Sequence, residues 1–125
     1  MSLSQELEKR AAAGNSIRVG VSGAGWIGSG FVAQVARMKG IIVPVLADSD
    51  TEAAFRAFVA TGVEPDSIVE ASTPGKASDA LWAGKRVITG DYTLAAQLAE
   101  IDIVADVTPS PAIGAETANA CIRQG

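Results

Sequence analysis

Residues 19–31, VGVSGAGWIGSGF, hold five glycines in thirteen positions directly after an apolar start. Glycine loses more backbone freedom on folding than other residues, so this density is costly unless the backbone needs special turns or close approaches. Within the segment, Gly23, Gly25 and Gly28 form the pattern G-x-G-x-x-G between a predicted strand and a predicted helix. This pattern constrains the fold of the chain more than any other feature.

Each glycine of the pattern has a separate predicted task. Gly23 makes a tight turn, Gly25 lets a pyrophosphate approach the bare backbone, and Gly28 lets helix and strand pack closely. The N–H groups and the positive dipole end of the following helix would face the same place. Trp26 and Ile27, between the glycines, are further candidate cofactor-binding residues, and Trp26 would either shield the cofactor or pack on a neighbouring domain.

A carboxylate follows the glycines at the spacing of a dinucleotide-binding unit. Asp48 ends the second predicted strand, twenty residues after Gly28, where it would accept hydrogen bonds from the adenosine ribose. A carboxylate there would repel a 2′-phosphate, which favours NAD over NADP, although Arg56 leaves NADP open. Ser49, the next residue, belongs to the same candidate site. The competing interpretation is a glycine-rich turn followed by an aspartate that caps a helix.

The whole chain alternates between strand-like and helix-like patterns. This order predicts a doubly wound parallel sheet of the α/β class, which is the fold of a Rossmann-type NAD(P)-binding domain. Pro44 lies inside the second strand and indicates a bulge, an edge or a strand boundary. The predicted strands are 16–22, 41–48, 85–91 and 102–109; the predicted helices are 2–14, 27–38, 51–62, 77–84, 91–101 and 112–125; and 63–76 is predicted to be an irregular insertion.

The predicted domain organisation is an N-terminal helix over 1–15 and a nucleotide-binding domain over 16–125. A domain of this kind usually has about five or six strands, and only four are predicted here. We therefore expect the chain to be the N-terminal part of a longer polypeptide, with the domain incomplete at its C-terminus. Thr108 and Pro109 lie at the carboxyl end of the last predicted strand and are candidate contacts to the nicotinamide side of a cofactor, or else turn residues.

Composition excludes several other classes of function. The net charge is −4 and the ten basic residues are scattered, which disfavours nucleic-acid binding. The longest apolar run, 41–47, is too short to cross a membrane, and no leader pattern opens the chain. The single cysteine, Cys121, is typical of a reducing cytoplasm. Because the chain has no histidine, an imidazole base or a histidine-bound metal would have to come from outside it. We predict no metal site in the chain and assign no catalytic residue.

Several segments together resemble one family. LEKRAAAGNSIRVGVSGAGWIGSGFVAQVARMKGI, ALWAGKRVITGD, IDIVADVT and IGAETANACIRQG are similar to the N-terminal half of homoserine dehydrogenase-like proteins. That group includes the deoxyxylulose-phosphate reductoisomerase-like enzymes and carries a C-terminal SAF-type domain. The resemblance implies an NAD(P)-dependent oxidoreductase that acts on a small hydroxylated or phosphorylated metabolite and forms homo-oligomers through the missing part.

Carried over by position, the resemblance places the three glycines at the pyrophosphate, Asp48 at the ribose and Thr108 near the nicotinamide. Pro109 departs from the family pattern, which has glycine there, and the family's substrate and catalytic residues lie beyond Gly125. The alternative hypothesis is a stand-alone NAD(H)-sensing regulatory domain without catalysis. The expectation of an unfinished sheet favours the enzyme over the sensor.

Overall fold

A computed structural model describes residues 2–23 and 25–106. In this part of the chain, helices and strands alternate along the sequence. The strands are β1 (Ile17–Ser22), β2 (Ile41–Ala47), β3 (Ile68–Glu70), β4 (Arg86–Thr89) and β5 (Ile103–Asp106). The α-helices are α1 (Leu3–Ala12), α2 (Trp26–Ala36), α3 (Thr51–Ala60) and α4 (Pro74–Trp82), with short 3-10 helices at Pro65–Ser67 and Ala95–Gln97.

The strands form one parallel sheet in the order β3-β4-β2-β1-β5. After β4 the chain crosses to the opposite side of β1 and forms β5 there. This crossing makes a topological switch point at the carboxyl ends of β1 and β5, the position where open α/β sheets bind ligands. The predicted doubly wound α/β fold is confirmed.

Apolar side chains of the central strands enter two separate clusters. Leu46 and Ile88 belong to a cluster that includes residues of α2 and α3. Val45 and Val87 belong to a second cluster that includes residues of α4 and the 3-10 helix Ala95–Gln97. Because both faces of the sheet are covered, β2 reads as a continuous apolar run rather than an alternating one.

Pro44 lies in β2, between β1 and β4 in the sheet. Arg18 pairs with Ile42 and Gly20 pairs with Val45, so the register shifts between them. Two residues of β2 therefore oppose one residue of β1, which is a β-bulge. Proline donates no N–H to the ladder, and a bulge is a position where a strand tolerates it. Of the three expectations for Pro44, the structure confirms the bulge.

Helix α1 begins with a capping box and packs on the turn before β2. Ser2 Oγ accepts a hydrogen bond from the N–H of Gln5 at 3.2 Å, and the Ser2 N–H donates to Gln5 Oε1 at 2.9 Å. Leu7 is buried. Gly40 has φ +85°, and a Cβ built on it would overlap the backbone of Leu7. The turn thus needs glycine both for its backbone conformation and for the close approach of α1.

The prediction of an irregular insertion over 63–76 is wrong. The segment contains the 3-10 helix Pro65–Ser67 and β3, and α4 already begins at Pro74 with Thr73 as its N-cap. The described sheet therefore has five strands, not four. A strand of three residues, of which two are half-buried and one is exposed, is too short to show a periodic pattern.

The predicted helix over 91–101 is also wrong. Only Ala95–Gln97 is helical, and it is a 3-10 helix. A Cβ built on Gly20 would lie 2.6 Å from Ala95 Cβ, so this segment lies directly against the middle of β1. Leu94, Ala95 and Leu98 are all buried there. Burial against the sheet thus prevails over the helical spacing of these residues. The predicted helix over 112–125 lies outside the described residues.

Candidate dinucleotide-binding site

Residues 23–28, called the glycine loop below, follow β1, the strand next to the switch point. Gly23 has φ +105°, a left-handed conformation that favours glycine. Its N–H donates a hydrogen bond to the Ala47 carbonyl at 2.6 Å, which ties the start of the loop to the end of β2. The sharp turn expected at Gly23 is therefore present, and it directs the chain into α2.

Helix α2 begins without any side-chain cap. Gly25 is the N-cap residue and makes no side-chain capping bond to the first turn, and this turn contains no acidic residue. A Cβ built on Gly25 would meet no atom within 4 Å among the described parts of the chain. Protein packing there does not require a glycine, whereas a ligand lying against the backbone would. The free N–H groups and positive dipole end of α2 suit an anion.

The other residues of the loop are less fully described. Gly28 is buried in the first turn of α2, in keeping with its predicted packing task. Residue 24 and the side chains of Trp26 and Ile27 lie outside the described structure, so the roles of Trp26 and Ile27 in cofactor binding stay predictions.

A buried hydroxyl directly before the loop also fits a ligand nearby. Ser22 is only 1% exposed, and its Oγ has no hydrogen-bond partner within the described residues. Ser22 pairs with Ala47 on one side and with Asp106 on the other, so it lies at the switch point. Buried hydroxyls nearly always have partners, and a bound polar group is one way to supply this one. Thr108 and Pro109 lie outside the described residues, and their predicted contacts stay predictions.

Asp48 lies next to the glycine loop at the end of β2. The pairing of Ser22 with Ala47 brings the residues that follow them, Gly23 and Asp48, to the same edge of the sheet. Asp48 is half-buried, and its Oδ1 accepts a hydrogen bond from the Asp50 N–H at 2.8 Å. The segment after β2 is thereby held in a tight turn, at the edge of the sheet where the glycine loop also begins.

The competing interpretation of Asp48 as a helix cap is not what the structure shows. Asp50 is the N-cap of α3, and its Oδ1 accepts from the Ala53 N–H at 3.2 Å. Asp48 precedes the cap by two residues and directly follows β2. This is the position at which dinucleotide-binding folds place the acid that binds the ribose.

Sequence reasoning missed an anchor of this loop. The Tyr92 hydroxyl accepts a hydrogen bond from the Ser49 N–H at 2.9 Å, across 43 residues of sequence. The Asp48 N–H donates to the carbonyl of Thr89, the last residue of β4, at 2.9 Å, so β4 and the segment after it hold the loop at two points. Asp91 shapes that segment, because its Oδ1 accepts from both the N–H and the hydroxyl of Thr93. A tyrosine within a predicted helix gave no local signal of this contact.

Tyr92→Phe is expected to loosen this loop. The change removes the acceptor of the Ser49 N–H and should lower the free energy of unfolding by about 0.5–1 kcal/mol. NADH affinity should fall a few-fold, because the loop carries Asp48. Ser49→Ala is the matched control, since it keeps the N–H. Urea unfolding and calorimetric titration measure the two effects, and equal behaviour of the two variants would contradict the anchor.

Two other kinds of site are absent from the described part of the chain. No group of three or more Asp, Glu or Cys side chains there is placed to hold a metal ion. None of its helices has the length and apolar character needed to cross a membrane.

Comparison with known proteins supports the fold. A scyllo-inositol dehydrogenase from Lactobacillus casei, solved with bound NAD(H) and scyllo-inositol, matches with a TM-score of 0.56 and 19% identity over 85% of this chain. A myo-inositol dehydrogenase from Corynebacterium glutamicum ATCC 13032 gives a TM-score of 0.44 and 19% identity over 87% of this chain. The chain spans 26% and 34% of the lengths of these two proteins.

At this identity the first match establishes the Rossmann-type α/β fold. No family model matches the sequence. No curated protein matches it either.

Proposed function

We propose that this chain is the cofactor-binding region of an NAD-dependent oxidoreductase that acts on a small hydroxylated metabolite. One observation carries the proposal: a glycine turn leads into an uncapped helix at the sheet's switch point, with Asp48 beside it. The inositol dehydrogenase from Lactobacillus casei supports it, since that protein has the same fold and binds NAD(H) and a polyhydroxylated substrate.

The residues of the chain would divide the work of binding. Gly23 turns the backbone, the uncapped N–H groups after Gly25 bind the pyrophosphate, and Asp48 accepts hydrogen bonds from the ribose hydroxyls. When bound, the nicotinamide cofactor supplies hydride transfer, and the protein contributes position and electrostatics. No catalytic acid or base is assigned to a described residue.

The carboxylate of Asp48 favours NAD over NADP in this proposal, because a 2′-phosphate beside it would be repelled. Arg56, the arginine that left NADP open, lies on α3, largely exposed, with its Nη1 3.8 Å from Glu52 Oε1 one turn away. It lines one pocket together with Gly25 and Ser29, so the alternative of NADP stays open.

Asp48→Ala is expected to weaken NADH binding by about tenfold, because the ribose loses its acceptor. NADPH binding should weaken less or improve, since the repulsion also disappears. Glu8→Ala, which removes an exposed carboxylate from α1, should leave the NADH-to-NADPH preference unchanged. Calorimetric titration with both cofactors measures the preference. An equal change for both in Asp48→Ala would exclude the ribose contact.

A finer assignment concerns the family of the chain, its location in the cell and its assembly. We propose that the chain is related to the homoserine dehydrogenase-like proteins with a SAF-type domain, that it works in the cytoplasm, and that it forms homo-oligomers. The segment similarity given above supports this assignment. The size-exclusion profile and hydride turnover of the protein that contains this chain test it.

A second candidate, an NAD(H)-sensing regulatory domain, gains from one observation. The expectation of an unfinished sheet of four strands disfavoured a sensor, whereas the described sheet has five strands. Both candidates need the same cofactor site. They differ in turnover, since only the enzyme changes NADH absorbance in a screen of polyols and hydroxy acids.

A further inference from the structure

We propose that a second binding site, for a small monocarboxylate with an apolar tail, lies at the amino-terminal edge of the sheet, opposite the glycine loop. A cavity of about 410 Å³ opens there between the C-terminal ends of α2 and α3 and the first residues of β2 and β4. Volumes of this order are usual for sites that take small molecules. Its apolar walls include Val32, Val35, Val43, Phe58 and Val63.

Arg86 is the positive group of this cavity. It is the first residue of β4, it lines the cavity and it is half-buried. Its guanidinium forms no hydrogen bond or ion pair with any described residue. Burial lowers the pKa of Arg86, and the nearby charge of Arg18 lowers it further. A half-buried guanidinium that faces a cavity and has no described partner offers its N–H donors to an anionic ligand there.

The surroundings of Arg86 favour a single negative charge. The C-terminal ends of α2 and α3 carry the negative ends of two helix dipoles at this edge of the sheet. The exposed carboxylate of Glu64 also lines the cavity. These negative groups offset the added positive charge of Arg18 and oppose a phosphate dianion, whereas one carboxylate can form two parallel hydrogen bonds with a guanidinium. The apolar walls would bury a short hydrocarbon tail.

This site is separate from the proposed cofactor site. Helix α2 begins at the glycine loop and ends at the cavity, so the two sites lie at its opposite ends. A carboxylate bound beside Arg86 would not compete with a dinucleotide for any residue. The inference therefore stands independently of the proposed function.

Calorimetric titration of the full chain with sodium hexanoate tests the site. Saturable binding of hexanoate is expected, with hexanol and hexyl phosphate binding at least about tenfold more weakly. Arg86→Gln should weaken hexanoate by at least about tenfold, because the charged donor is lost. Arg37→Gln, at an exposed arginine that follows α2, is the matched control and should bind hexanoate as the parent chain does.

A second variant tests the contribution of the cavity to binding separately from that of the Arg86 charge. Ala36 is exposed and lines the cavity, so Ala36→Phe should fill part of the cavity without disturbing the core. Hexanoate affinity should fall about tenfold, while the thermal midpoint and NADH affinity stay unchanged. Absence of saturable hexanoate binding overturns the proposal, as does equal affinity for hexanol or for hexyl phosphate. Unchanged affinity in Arg86→Gln or in Ala36→Phe overturns it as well.

Discussion

Gly25→Asp is expected to abolish NADH binding while leaving the fold intact. The new side chain would lie in open space, because a Cβ at Gly25 meets no described atom within 4 Å. Gly25 also has φ −64° and ψ −164°, a conformation open to any residue. A carboxylate beside the pyrophosphate would repel it and compete for the N–H groups of α2. We expect an affinity loss on the order of 100-fold, or about 3 kcal/mol.

The same substitution should lower NADH affinity without destabilising the protein. Aspartate is a good N-cap residue, so the free energy of unfolding should stay level or rise by about 0.5–1 kcal/mol. Gly30→Asp is the control, since Gly30 lies further along α2 and also faces open space. Calorimetry with NADH and thermal unfolding measure both properties. Native NADH affinity in Gly25→Asp would falsify the pyrophosphate site.

Gly40→Ala is expected to have the largest effect on stability. Two costs add: φ of +85° is unfavourable for alanine by about 1–2 kcal/mol, and the new Cβ would overlap the Leu7 backbone. We expect the free energy of unfolding to fall by about 3–4 kcal/mol, because a backbone atom cannot move aside as a side chain can. Urea unfolding followed by far-UV circular dichroism measures the change.

Gly84→Ala separates the two costs. Gly84 has a similar φ, +79°, but a Cβ there meets nothing within 4 Å. Its substitution should therefore cost only the strain, about 1 kcal/mol. If Gly40→Ala costs no more than Gly84→Ala, α1 is not held against the turn before β2 as the structure shows.

Patterns within single elements predicted most of this fold. The apolar run of β2 and the position of Gly23 after β1 are local features that sequence alone reveals. What sequence reasoning missed depends on distant contacts. Residues 91–101 have helical spacing, but the close approach of Ala95 to Gly20 forces them into a compact turn. Three-residue β3 is defined by its pairing with β4, not by its own pattern.

The residues of the candidate site also fall into those that local patterns reveal and those that depend on distant contacts. The glycine spacing and Asp48 were visible because they follow consecutive strands at characteristic distances. The Tyr92 anchor was not, because its contact to Ser49 spans two neighbouring strands and leaves no motif. The orphaned hydroxyl of Ser22 was also hidden, since a serine before a glycine turn looks ordinary until its burial is known.

The position of β1 has a consequence for synthesis on the ribosome. One side of β1 is covered by β2 soon after it is made, but the other pairs only with β5, whose first residue is Ile103. In the folded chain, Asp102 binds the Arg18 backbone through both its side chain and its N–H, directly before β5. Until β5 is made, the nascent chain exposes an unpaired strand edge in the middle of its future sheet, where other chains can add. We expect that interval to be the one in which chaperones matter most.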